Sequence, residues 1–386
     1  MRYEFRSMRG TGRLVALVLS LAALPGLSAR ADDPRGFLET IHKHQTLTST
    51  VPENGDQNPY AIIVAPVSIG KIQKDDVLVD NFNNLSNLQG LGTTIVDYNP
   101  ATKKTTTFAR VPRNLQGCPG GVGMSTAMTM LKSGWVIVGS TPSSDGTTAT
   151  KGDGCLIVFD ANGQLAAVWA GPDINDPWGN MAVVDNGTSA TLFVSMSGFD
   201  VPDWHIRDPA TGYSVVVNKS TVLRLQLSIP EGRPPTIVSR VVVANGLGQR
   251  ANRDVFLIGP TGLALGPDNT LYISDAQENR IVAIDGATTR ANSGGTGRGV
   301  TRGGLLRRPL AMVMAPNGHL IVCNAQNGQV VEIDPVAGKQ IVAQWVDINQ
   351  AQSPPGNGDL FGIALTPDGK GFYYVEDDMN TVVEAR

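Results

Sequence analysis

The chain has 386 residues, 41% hydrophobic and 17% charged, with a formal net charge of −3. That balance supports a folded body with its own core and excludes a highly charged disordered chain, and three cysteines are too few for a disulfide scaffold. Lys and Arg (31) do not outnumber Asp and Glu (34), which disfavours a nucleic-acid partner, whose phosphates demand clustered positive charge.

Residues 1–31 read as a secretory signal. Arg2, Arg6, Arg9 and Arg13 precede an apolar run of 11 residues, Leu14–Leu24, too short to span a bilayer, and Ala29-Arg30-Ala31 offers an A-x-A cleavage site. The alternative is a membrane-anchoring start. No later apolar stretch is long enough to span. The signal carries five Arg and one Glu, so its removal takes the chain from −3 to −7. A periplasmic or secreted protein is expected, with a lead at 32–44 and one domain over 45–386.

One phrase then recurs. Pro260 to Asp275 holds a short apolar strand, the turn Gly266-Pro267-Asp268-Asn269, and a second apolar strand ending in Ser274-Asp275. Pro309–Asn324 and Leu360–Asp377 repeat it, with turns at Pro316-Asn317-Gly318 and Pro367-Asp368-Gly369. Anchored on the last apolar residue of the second strand, the copies fall at Val79, Val138, Val194, Ile273, Val322 and Val375, with intervals of 59, 56, 79, 49 and 53 residues. Third strands follow at Thr94–Tyr98, Leu156–Asp160, Val222–Leu225, Arg280–Asp285 and Val330–Asp334, and fourth strands at 105–111, 165–170, 237–243 and 340–346. A strand pair of this size cannot bury its own apolar faces, so the copies must stack. The last copy stops at its third strand, Thr381–Glu384. Residues 45–51 alternate polar and apolar and are predicted to supply the missing edge. The expected fold is all-β, a six-bladed β-propeller closed by an N-terminal strand that completes the last blade.

The pattern Pro-x-Gly-Leu-Ala-x-x-Pro-Asp-Asn-x-Leu-Tyr-Ile-Ser-Asp, with Asn279-Arg280-Ile281 after it, resembles the NHL repeat of six-bladed propellers. The resemblance is clearest over 259–285, good over 309–334 and 359–383, and faint in the first three copies. More distantly the chain is similar to gluconolactonase-like propellers. The resemblance speaks to fold, since such propellers include RNA binders, docking modules, metal-dependent lactonases and amidating lyases.

In a propeller the loops entering each inner strand and those joining second to third strands gather at one mouth of the central channel. The repeat maps Tyr60, Thr126, Gly179, Thr261, Leu310 and Phe361 there, with Asn58, Trp178, Asn180 and Asp359 beside them. Asp275, Asn324 and Asp377 recur in register and read as turn-bonding residues. Asp80, Asn81, Asn83 and Asn84 make blade one dense in oxygen donors. The excursion from Ser197 to Ser214, with Trp204 and His205, reads as a lid or as a surface insertion. Cys118 and Cys155 fall in loops at one face of blade two and are disulfide candidates. Gly294–Gly299, with Arg290, Arg298, Arg302, Arg307 and Arg308, reads as a basic interblade loop or as an anion trap.

Two functions are expected from this. The first is a binding propeller, a monomer without chemistry of its own, in which Tyr60, Trp178, Asn180, Trp204, His205 and Phe361 hold a small molecule, glycan or protein. The second is a metal-assisted lactonase- or lyase-like enzyme. Only four histidines are present, so a His-rich zinc site is disfavoured. Ca2+ would suit Asn58, Asp80, Asn180 and Asp359, with Asp80 and Asp359 as the carboxylates that move a proton.

Overall fold

The computed structural model describes residues 36–358 and 360–386; the expected signal (1–31), residues 32–35 of the lead and Asp359 lie outside the described residues. Six antiparallel sheets form a ring. Blade one is Gln57–Val64, Val77–Asn83, Thr94–Asn99 and Lys104–Arg110; blade two is Met124–Met130, Val136–Ser140, Cys155–Phe159 and Leu165–Trp169. Blade three is Ala182–Asp185, Ser189–Met196, Val217–Ser228 and Thr236–Asn252, with Phe256–Ile258 added at its edge. Blade four is Pro260–Leu265, Leu271–Asp275, Arg280–Ile284 and Arg298–Arg302; blade five is Pro309–Met314, Leu320–Asn324, Gln329–Asp334 and Lys339–Trp345. Among the described residues no helix is long and apolar enough to cross a membrane.

Blade six takes Leu360–Leu365, Phe372–Glu376 and Thr381–Ala385 from the end of the chain and His44–Ser49 from near its start. His44 pairs with Ala385 and Ser49 with Thr381, antiparallel, with a bulge at Thr46/Thr48. The closing strand ends two residues before the predicted limit because the chain turns away after Thr50, whose N–H donates to Asn380 O at 2.8 Å.

Strand alternation explains the core. Successive side chains face opposite sides of a sheet. In blade four Leu263, Ile273 and Val282 pack toward Val222 and Val243 of blade three. Their neighbours Ala264, Tyr272 and Ile281 pack toward Met312, Val322 and Val331 of blade five. The repeated glycine has a reason of its own. A Cβ on Gly262 would lie 2.3 Å from Leu310 O, and one on Gly362 would lie 2.5 Å from Tyr60 O. Neighbouring inner strands approach too closely at the axis for any larger residue. Each of those strands also bulges beside that glycine, as at Pro260/Leu263 and Leu360/Ile363.

Two elements differ from the sequence reading. Arg298–Arg302, read as loop, is the outer strand of blade four. An exposed edge strand needs only one half-buried face, and Arg298-Gly299-Val300-Thr301-Arg302 carries no apolar run to announce itself. The outer strand of blade three runs 17 residues, Thr236–Asn252, far past the predicted 237–243, and returns through Phe256–Ile258.

Blade two is tied by a disulfide between Cys118 and Cys155, 37 residues apart. Closing a loop of that length removes denatured-state freedom worth roughly 3–4 kcal/mol in the chain-entropy picture. Thermal melts of a Cys118→Ser, Cys155→Ser double variant are expected to fall accordingly; an unchanged melting temperature would show that the bridge contributes nothing.

The lead is docked rather than free. Glu332, fully buried in blade five, accepts from Phe37 N at 2.8 Å and Leu38 N at 2.9 Å, and His319 Nδ1 lies 2.6 Å away. Burial alone would raise the Glu332 carboxyl, but these donors outweigh it and hold the group below its ordinary value.

Candidate active site

The axial end of the channel at the loop-rich mouth is filled with rings. Tyr60 stacks on Phe361 at 3.9 Å and on Phe82 at 4.5 Å, and Trp178 stands edge-on to Tyr60 at 5.8 Å and to Phe82 at 5.6 Å. Phe256, carried in by the blade-three hairpin, meets Phe82 edge-on at 5.5 Å. None of the five is more than 2% exposed. Phe256 holds φ at +61°, a region that bulky residues avoid, so its burial offsets about 1–2 kcal/mol of backbone cost.

The chemistry-bearing groups lie around a recess walled by blade one, the turn after the second strand of blade six and the tip of the blade-three hairpin. This recess of about 300 Å³ is lined by Gln57, Asn58, Asn83, Gln89, Asp377 and Asn380, among others. Asn58 N donates to Asn380 Oδ1 at 2.6 Å, and Asn83 Nδ2 to Asn87 Oδ1 at 2.7 Å. The buried Asn83 Oδ1 and Gln89 Oε1 accept nothing from a described residue. Asp378, which also lines the recess, belongs to a carboxylate trio with Asp347 and Glu376, with ligand oxygens within 4.8 Å of one another.

The trio comes from two places in the chain. Glu376 ends the second strand of blade six and Asp378 follows it, while Asp347 follows the outer strand of blade five. Asp347 is 2% exposed; its Oδ1 accepts Asn349 N–H at 2.8 Å. Its Oδ2 meets no hydrogen-bond donor among the described residues. Burial, then the Asp347 charge, pushes Glu376 up to about 7, and the same two causes raise Asp378, whose carboxyl accepts from Asn349 Nδ2. Three carboxyl groups sharing one partly buried site cannot all ionise at low cost without a cation between them.

The predicted site residues divide. Tyr60, Trp178 and Phe361 do come together, but as a closed plug with no face left for a ligand. Asn180 is consumed as a cross-brace: its Oδ1 accepts from Leu263 N at 3.2 Å and Met312 N at 3.3 Å, and its Nδ2 donates to Leu263 O at 2.8 Å. Asp80 occupies in blade one the place of Ser274 in blade four. Ser274 Oγ caps Gly262 N–H at 2.5 Å, and Asp80 Oδ1 caps Ala61 N–H at 2.8 Å, so its role is to satisfy the inner-strand bulge. Desolvation raises its carboxyl to about 8. Asn58 lines the recess, and Asp359 lies outside the described residues. Trp204 and His205 sit on the excursion, their rings 3.7 Å apart, with His205 exposed and held by Asp203 at 2.6 Å. Asp275 caps Glu278 N–H and pairs with Arg280 at 2.8 Å, as a turn residue does.

No protein-family model and no curated sequence matches the chain. Solved structures do. They include a gluconolactonase from Xanthomonas campestris (13% identity, TM-score 0.51, covering 89% of this chain and 88% of that one). A calcium-binding regucalcin from Agrobacterium tumefaciens aligns at 14% identity and TM-score 0.51 over 89% and 92% of the two chains. The PQQ-bound aldose sugar dehydrogenase of Streptomyces coelicolor aligns at 15% and 0.51 over 89% and 98%. The neighbours are gluconolactonase-like six-bladed propellers. At these identities the likeness speaks to the fold. The expectation of a binding module without chemistry of its own is corrected on two findings: Tyr60, Trp178 and Phe361, three of the four aromatics meant to hold its ligand, are buried in one another, and the fold's neighbours include enzymes.

Proposed function

We propose that the chain is a metal-assisted hydrolase or lyase acting on a small molecule in the recess walled by blades six and one and the blade-three hairpin tip. The observation that carries this reading is the buried Asp347 carboxylate, with an oxygen unmet by any fixed donor, clustered with Glu376 and with Asp378, the member of the trio that reaches the recess wall. All three are hard oxygen ligands, which suits Ca2+ or Mg2+ and not zinc. A divalent cation bound by Asp347, Glu376 and Asp378 would supply charge to polarise a substrate carbonyl. The amides of Asn58, Asn83 and Gln89 would orient polar groups of the substrate. Glu376, raised toward neutrality in the metal-free site, would be held ionised by the cation, so its part would be to hold the cation and not to carry the proton. We further infer that the repeat is NHL-like on the motif of blade four, that residues 1–31 are removed on export, and that a single propeller domain works in the periplasm or outside the cell. The Cys118–Cys155 bridge supports that compartment.

The titration sets the direction of a stability test. Glu376 has its folded pKa (about 7) above its ordinary 4.5, so the stability it lends the metal-free protein is full at low pH and lost as pH rises through about 7. Melting temperature without metal is therefore expected to fall between roughly pH 5 and pH 8, and calcium to restore it at the upper end. Glu376→Gln should abolish the calcium effect and slow turnover of lactone or ester substrates roughly 100-fold or more, through loss of the cation's polarising charge. No saturable divalent-cation binding, with turnover unchanged in Glu376→Gln, would dispose of the reading.

A further inference from the structure

A second recess, of about 300 Å³, lies beneath the blade-three excursion and against blades four and five. Arg250, from the long outer strand of blade three, and Arg308, at the entry to blade five, both line it with Tyr213, Gln277, Asn279 and Gln326. Arg250 is 6% exposed, its guanidinium 4.7 Å from the Tyr213 ring centroid, and its buried Nε donates to no described residue. Neither arginine forms an ion pair with a described carboxylate, whereas Arg240, Arg280, Arg298 and Arg302 each pair with one.

Two half-sequestered guanidiniums beside each other repel, and burial penalises both. Burial lowers Arg308 to about 10, with the Arg250 charge as the next cause; Tyr213 and Asp254 act the other way. Asp208 is the carboxylate on the wall, and its Oδ1 is taken by Ala210 N–H at 2.8 Å. Backbone bonds fix the placement. Arg308 N donates to Asn279 Oδ1 at 2.9 Å, and its own carbonyl accepts Ala325 N–H at 2.9 Å, across a φ of +57°. The other arginines of the basic segment point elsewhere: Arg290 bonds the carbonyls of Asp285 and Asn292, and Arg307 those of Gly304 and Leu306.

We propose that this recess is a binding site for a small oxyanion, a phosphate or carboxylate group clamped between Arg250 and Arg308. Guanidinium forks match the planar or tetrahedral oxygens of such groups and remain charged at any working pH. The site is separate from the carboxylate trio, and it stands whether or not the chain is a hydrolase.

The test is calorimetry on the purified protein in buffer free of competing anions, titrated with inorganic phosphate and, separately, with succinate. One saturable site for either anion is expected. Arg308→Gln and Arg250→Gln should each weaken it about tenfold or more, and Arg290→Gln should leave it unchanged. The phosphate and succinate arms decide which oxyanion is preferred. Should the Arg250 variant fail to fold, the wild-type protein still answers: the preferred anion should slow modification of Arg308 by phenylglyoxal relative to Arg290, read by mass spectrometry. Absence of saturable binding for both anions, or binding that survives both arginine substitutions, overturns the proposal, as does anion-independent labelling of Arg308.

Discussion

A chain beginning at Val51 is expected not to fold cooperatively. Without His44–Ser49, the strand Thr381–Ala385 presents a row of unpaired N–H and C=O groups at the edge of blade six. The segment just before it adds more: Leu38 and Ile41 are at most 2% exposed, and burying two such side chains contributes about 3–6 kcal/mol. Glu332 and Arg386 would lose backbone partners as well, since Arg386 O accepts from His42 N at 2.8 Å and Lys43 N at 2.7 Å. Set against a typical total stability of about 5–15 kcal/mol, the loss is comparable with the whole. The truncated chain should elute as aggregate and show no sharp melt. A synthetic peptide of residues 36–50 should restore a folded, monomeric species by adding the strand back in trans. A sharp melt from the truncated chain alone would show that the ring does not depend on this strand.

The next largest effect is expected at the axis. Phe82→Ala or Trp178→Ala removes a fully buried ring from a cluster with no slack to refill the space, at a cost of roughly 3–5 kcal/mol. Denaturant midpoints should drop while the slope of the transition stays the same. Placing the cation at Asp347, Glu376 and Asp378 adds a second expectation: the variants, where folded, should keep their affinity for divalent cations. Full stability with lost ligand binding would instead return the rings to the role of a binding surface.

How much of this was legible in the sequence follows from how each feature is encoded. The ring was legible because a strand, a Pro-Asp-Gly-type turn and a second strand recur at nearly constant spacing, and because the final copy lacks an edge. Arg298–Arg302 was not, since an outer strand with one half-buried face needs no apolar signature. The mouth aromatics were correctly gathered. Their exposure was misread because two further rings, Phe82 and Phe256, arrive from a second strand and from a hairpin tip that no period announces. Glu376 did leave a trace: it stands where blade four has Ser274 and blade five Cys323, a break in register at a bulge-capping place. Asp347 left none, because nothing in linear spacing links the end of one blade's outer strand to the next blade's interior. Arg250 and Arg308 are likewise 58 positions apart, and only the fold distinguishes an arginine held against a recess from one lying on a loop.

Because one sheet joins His44–Ser49 to Thr381–Ala385, the ring cannot close before the second of these segments has been made. The registry of the whole waits on Ala385 meeting His44. Such long-range pairing is slow. The chain therefore stays pliable until those two segments meet.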